Sequence, residues 1–409
     1  MLPKALAFIL VTIFLDISAV AIVVPVMPRL LAQLTGLRPE ATAGYGGGIF
    51  FVFATAQFFA APVLGGLSDR FGRRRVLLTS LLAFVVDWCI MGCATSITVL
   101  CIGRFISGIA GATGPTANAY IADTCSPKQR AKYFGVMSSA VGIAQMFGAT
   151  AGGLLSGLGV RAPFFGAATL AGINLLYGYF VLPESLPLDR RRPLDWKRMN
   201  PFVAFAELRT RPRLRMFVLA LFLWLLAFTV FPSTWAYYCT SRYGWNPLTI
   251  GYSLAVSGLS AAIIQMFLLG KMISRFGEAK TIIIGCMIAI CALIAYGTAT
   301  QSWMIFVILL FGASCYVAGP TLIATMTQLV PENEQGALQG LLSSLGCIAI
   351  VIGPLVMTQV FMNANRLVPG AHLSGMAFFL SAVLVCGTLL CMLRSQSTLL
   401  APFPSPKPG

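Results

Sequence analysis

Long apolar runs separated by short polar stretches fill almost the whole chain. Twelve such runs, at 5–27, 45–66, 76–95, 97–119, 134–157, 164–182, 214–238, 246–270, 280–298, 302–324, 336–361 and 372–394, come close to the length one membrane crossing needs. A helix needs about 20 apolar residues to cross a hydrocarbon layer of roughly 30 Å. Lipid offers the backbone no hydrogen-bond partner, so the pattern predicts an all-helical membrane protein. The first run carries Asp16, outlasts a leader's apolar core and lacks a small-residue cleavage site. It is therefore read as a retained helix. Residues 183–213, beginning "PESLPLDRRRPLDWKRMN" at Pro183, break the pattern and predict a cytoplasmic linker with a short surface helix.

Composition agrees: the 409 residues are 58% hydrophobic and 10% charged, with a mean hydropathy of +0.85. A net charge of +16 raises the question of nucleic acid, and the placement of the charge answers it. Assigning alternate loops to one side collects 22 of the 28 Lys and Arg there, against five on the other, namely Arg29, Arg38, Arg161, Arg242 and Arg366. The positive-inside rule makes the richer side cytoplasmic, with both termini inside; the expected location is the cell's inner membrane. The eleven cysteines lie mostly in apolar runs without paired metal spacing, which predicts reduced, buried thiols. No phosphate-cradling loop followed by Lys-Ser/Thr is present, so neither direct ATP use nor any other cofactor is expected.

The chain also repeats. An offset of 205 residues lays "GGLSDRFGRRRVL" from Gly65 on "GKMISRFGEAKTI" from Gly270, Gly114-Pro115-Thr116 on Gly319-Pro320-Thr321, Ser138-Ser139 on Ser343-Ser344, and Gly148 on Gly353. One offset holding across separated blocks predicts two six-helix halves in parallel repeat, residues 1–182 and 214–394, joined by 183–213 and followed by a tail, 395–409.

Three ionisable residues fall well inside apolar runs: Asp16, Asp87 and Arg104. Counting about 1.5 Å per residue from the run ends puts them near one depth, around the midplane. Each costs about 2.5 to 3.5 kcal/mol at a helix centre, so each asks for a partner or a function. A carboxyl without a partner there can shed its charge by binding a proton, which makes Asp16 a proton-site candidate. Asp87 and Arg104 admit two readings, a fixed ion pair pinning two helices or a direct part in coupling. The polar in-span residues Gln57, Asn118, Gln145, Asn174 and Gln265 are expected to face a cavity or a neighbouring helix. Helix glycines such as Gly108, Gly148, Gly152 and Gly153 are expected to serve close packing. Trp235, Tyr237 and Tyr238 read equally as interfacial belt or gate. His372, the single histidine, is expected to be a solvated loop residue.

These residues carry a family resemblance. "GGLSDRFGRRRVLL" resembles the loop signature of the major facilitator superfamily, "GRFISGIAGATG" its fourth-helix motif, and "YIADTCSPKQRAKYFG" the following segment of its proton-driven drug exporters. With "SRYGWNPLTIGYSLA" and "EQGALQGLLSSLGCIAIVIGPL", the chain resembles the tetracycline-resistance branch almost end to end. The resemblance implies a twelve-helix antiporter, not an enzyme, exchanging protons for a small amphipathic or drug-like molecule, with no metal and as a monomer. A specific endogenous metabolite or lipid is the alternative cargo. The expected proton-coupling or substrate cavity takes Asp16, Asp87, Arg104 and Gln265 from the resemblance and adds the in-span polar residues Gln57, Asn118 and Gln145. The implied cytoplasmic gate comprises Gly65, Asp69, Arg70, Gly72, Arg73, Arg74, Asp123 and Arg130. There Asp69 meets the positive end of a helix in the other half and the arginines pair with an acid such as Asp123. Ser274 stands where the repeat would place a second Asp69, which makes that latch one-sided. Three departures bear on the cargo: Ala289 stands where tetracycline exporters of this branch carry an acid, Ala261 near their histidine position, and Gly148-Ala149 in place of Gly-Pro.

Overall fold

The computed structural model describes residues 4–111, 127–184, 186, 191, 212–330, 335–367 and 375–399. Asn118, Asp123 and His372 lie outside the described residues, and Arg130 lies on a described helix whose side chains there are not described.

The described residues form α1 (Lys4–Val23), α2 (Met27–Thr35), α3 (Pro39–Phe71), α4 (Arg73–Cys93), α5 (Ile97–Ala110), α6 (Pro127–Leu155) and α7 (Ala162–Val181). After the linker come α8 (Pro212–Phe228), α9 (Val230–Tyr243), α10 (Pro247–Ile263), α11 (Leu269–Thr298), α12 (Ser302–Gly312), α13 (Ala318–Gln328), α14 (Gln335–Leu367) and α15 (Met376–Leu399). Ten helical stretches among the described residues are long and apolar enough to cross a membrane, and Ile97–Ala110 is a shorter apolar helix. One of the ten, Pro247–Thr298, has 52 residues and is divided by non-helical Gly277.

Where the residues are described, the predicted runs fall on these helices, with breaks that hydropathy alone does not reveal, among them a 3-10 segment at Val24–Val26 inside the run 5–27. The run 214–238 is interrupted at Thr229 between α8 and α9. The run 246–270 passes through a π-helical turn, Ile264–Leu268, and the run 302–324 through a 3-10 segment, Ala313–Val317.

The 205-residue offset appears in the backbone. Gly72 ends α3 at φ 100°, and Gly277, its equivalent, has φ 76° inside α11. Residues with a Cβ rarely adopt that region, so glycine lets one helix stop and the next leave within one residue. The packing between the halves follows the same frame, α3 lying against α14 and α6 against α10. Those pairs exchange under the offset, so they are one contact made twice.

Arginines at the end opposite the basic loops, Arg161 just before α7 and Arg242 in the last turn of α9, bind equivalent carbonyls in the two halves. Arg161 donates to the carbonyl oxygens of Gly92 at 2.9 Å and Ala94 at 2.8 Å. In the second half the carbonyl of Ala299, the equivalent of Ala94, accepts from Tyr243 at 2.8 Å and from Arg242. These carbonyls end α4 and α11, where no further helical turn can bond them.

Candidate functional site

A cavity of about 400 Å³ lies between the halves, lined by α1, α2, α3, α4, α5, α6 and α9. Its walls are mainly aromatic and aliphatic, with Phe50, Phe53, Phe84 and Trp88 among them, and its polar groups are Asp16, Gln57, Arg104, Ser233 and Tyr237.

Asp16 reaches the cavity from the middle of α1, which α6 holds tightly. A methyl at Gly148 would overlap the Ser18 carbonyl, one at Gly152 the Ile22 carbonyl, and Ser18 donates to the Ala144 carbonyl at 3.2 Å. These glycines do the close packing expected of them. Asp16 makes no ion pair among the described residues.

Arg104 is handled differently. Its guanidinium meets the fully buried Asp87 at 3.0 Å, off the line a hydrogen bond needs. It lies over the Trp88 ring at 4.2 Å and the Phe53 ring at 5.7 Å, and its Nε faces the Met91 sulfur at 2.9 Å. The cation therefore has a matching charge behind it and aromatic faces around it. Gly103 makes the approach possible, since a methyl there would come within 2.8 Å of Asp87 Oδ1. Asp87 itself does not line the cavity. Here the pair joins α4 to α5, with Arg104 as the partner that faces inward.

Gln57 lines the cavity and donates to the Gly111 carbonyl at 3.2 Å. Asn174 instead ties α7 to α1 by donating to the Thr12 carbonyl at 3.0 Å. Gln145 and Gln265 are exposed and do not line the cavity; Gln265 sits in the π-helical turn. Ala289 is buried beside Phe228, Tyr296 and Tyr316 in a separate small void. Trp235 and Tyr238 are buried in an aromatic core with Tyr296 and Phe378, which removes the belt reading for both. Tyr237, on the other face of α9, lines the cavity, a role that sequence left open.

The seam between α3 and α14 is closely packed at the end away from the basic loops. Away from the basic loops, a methyl at Gly46 would overlap the Tyr237 hydroxyl and one at Gly47 would overlap Thr358, while Gly44 N–H faces the Met362 sulfur at 3.1 Å. Toward the basic end, Gly65 on α3 and Gly340 and Gly346 on α14 have nothing within 4 Å of an added methyl. The cavity is thus shut off from the end opposite the basic loops.

Among the described residues, Asp69 pairs with Arg73 at 2.5 Å, one turn away in its own half. Arg73 also reaches Ser68, and Arg74 donates to the Tyr179 carbonyl at 2.7 Å. Glu184, which the sequence reading passed over, accepts from the Arg73 and Arg74 backbone N–H groups at 2.8 and 3.3 Å, capping α4 from the start of the linker. Arg70 lies exposed over the Phe71 ring. The second half has its own tie: Glu278, equivalent to Arg73, accepts from Thr325 at 2.8 Å and from Gln328, equivalent to Asp123, at 2.7 Å. Ser274 only bonds the Lys271 carbonyl, so the second loop uses an acid four residues further on.

A family model described as Major Facilitator Superfamily matches residues 7–354. The class C tetracycline resistance protein of Escherichia coli is 37% identical over 389 residues, covering 95% of this chain and 96% of that protein. The class G tetracycline resistance protein of Vibrio anguillarum is 37% identical over 354 residues, covering 86% and 89%. Multidrug resistance protein 2 of Bacillus subtilis is 27% identical over 356 residues, covering 85% and 86%. Among solved structures, the human organic anion transporter MFSD10 aligns with a TM-score of 0.72 at 23% identity, covering 95% of this chain and 99% of that one, a likeness of fold.

Proposed function

This chain belongs to the Major Facilitator Superfamily, and we propose that it is a proton-coupled antiporter that exports a small amphipathic, drug-like molecule across the inner membrane by alternating access. The tetracycline and multidrug resistance relatives support that class of cargo. The mechanism uses twelve crossings in two halves, 1–182 and 214–394, with the linker 183–213 and the tail 395–409 on the cytoplasmic side. The basic end is then the cytoplasmic end, and the close packing at Gly46 and Tyr237 supports reading this state as closed on the outer side.

The observation that carries the coupling is the contrast between two charged groups on one cavity wall. Arg104 has its charge matched by Asp87, whereas Asp16 has no ionic partner among the described residues. Asp16 can therefore alternate between protonated and charged, and the cargo competes with the proton for the cavity. The aromatic walls take the apolar body, and Gln57 and Ser233 supply polar contacts. The departures at Ala261 and Ala289 argue against tetracycline itself as the main cargo, since the void around Ala289 contains no acid.

Purified protein in liposomes, screened against chemically diverse compounds including tetracycline, tests the proposal. Proton release on addition of several unrelated amphipathic compounds is the expected result. Response to a single metabolite alone would make the chain a narrow exporter, and no proton movement with any transported compound would remove the antiport reading.

A further inference from the structure

The outer-end seam contains a polar group that the coupling scheme does not use. Tyr237 is buried, its ring forms part of the cavity wall, and its hydroxyl has no hydrogen-bond partner. That hydroxyl rests on Gly46 of α3 so closely that no side chain fits there. A buried phenol O–H without a partner is costly, because water satisfies it in any opened arrangement.

Two further observations place this contact where movement would occur. Helix α9 is separated from α8 at Thr229, whose hydroxyl bonds back to the Leu226 carbonyl at 2.6 Å, and a methyl at Gly353 of α14 would overlap Thr229. The outer half-helix Val230–Tyr243 thus begins at a break, with Tyr237 on its cavity side. Flanking contacts at Gly44 and Gly47 belong to the same seam, so parting α3 from α9 and α14 frees the hydroxyl.

We propose that Tyr237 is a positioning residue of the outer gate: its unmet hydrogen bond, held over Gly46, counterweights the closed gate and keeps the outward-open state within reach. The hydroxyl lacks a partner only while the gate is shut. Deleting it therefore favours closure, whereas adding bulk at Gly46 favours opening.

The proposal rests on alternating access and is independent of what is carried. The test uses the full chain in lipid nanodiscs, with exposed native cysteines replaced, and measures spin-label distances. One pair, Leu158→Cys with Trp303→Cys, reads the outer end across the halves. A second pair, Phe71→Cys with Phe276→Cys, reads the basic end. Tyr237→Phe is expected to raise the outer-closed population relative to outer-open by about five- to a hundredfold, the range for removing one unsatisfied buried group. Gly46→Ala is expected to move both distances the other way. If Gly46→Ala does not fold, the Tyr237→Phe distances decide alone. Unchanged populations in Tyr237→Phe, or a shift toward outer-open, overturn the role of Tyr237. A single invariant state at both ends in every variant, including wild type in cargo or a proton gradient, overturns alternating access itself.

Discussion

Arg104 and Asp87 meet at 3.0 Å inside the first half, with the cation facing the cavity and the carboxylate fully buried behind it. The pair joins α4 to α5 and leaves Asp16 as the acid on the cavity wall. Breaking such a pair costs more than the pair contributes, because a lone charge remains in a medium that solvates it poorly.

Arg104→Ala should therefore destabilise the protein by about 3 to 5 kcal/mol, and adding Asp87→Asn should recover part of the loss by neutralising the stranded acid. Thermal unfolding in detergent, with expression level as a second readout, measures both. A double variant no more stable than Arg104→Ala would show that the loss comes from the packing of Arg104 on Trp88 and Phe53.

Asp16→Asn preserves size and removes the proton. It should abolish accumulation driven by a proton gradient while leaving downhill exchange of cargo. The comparison is uptake into inverted vesicles with and without a gradient. Wild-type gradient-driven uptake would exclude Asp16 as the carrier.

Asp69 bears on the proposed closing of the basic end. Here it holds Arg73, so Asp69→Asn should leave helix content and topology intact. If Asp69 docks on a helix end of the other half when the cytoplasmic side shuts, losing that contact of roughly 0.3 to 2 kcal/mol shifts the balance toward cytoplasm-open by up to about thirtyfold. Labelling rates of cysteines on the cytoplasmic helix ends report the shift. Unchanged rates with normal transport would leave Arg73, Arg74 and Arg75 as topological anchors alone.

Arg161 bonds two carbonyls through the two terminal nitrogens of one planar guanidinium, a fork that lysine's single ammonium nitrogen lacks. Arg161→Ala should destabilise by about 1 to 3 kcal/mol through the carbonyls of Gly92 and Ala94, and Arg161→Lys should recover less than half of that. Unfolding temperature is the readout, and full rescue by lysine would reduce the role of Arg161 to charge.

Much of this molecule was legible in the chain. The crossings follow from the absence of backbone partners in lipid, which forces apolar stretches into helices. The duplication shows as one offset, and the structure repeats it at Gly72 and Gly277, where both backbones need the same positive φ. The in-membrane charges could be picked out because each is expensive there. Which groups would meet was less accessible. Lipid-facing and helix-facing residues are both apolar, so no period separates them, and helix neighbours are chosen by small residues and close fit. That is why Trp235 and Tyr238 entered an aromatic core while Tyr237 faced the cavity, and why Gln145 and Gln265 stayed off the wall that Gln57 joined. Glu184 gave no hydropathy signal, since its value comes from where the linker starts relative to α4. The sequence by itself determined the helices, their repeat and the buried charges, through solvation. The tertiary structure decided the partners, the closely packed seam and the acid without an ion pair among the described residues, because those depend on distances of a few ångströms between segments far apart in the chain.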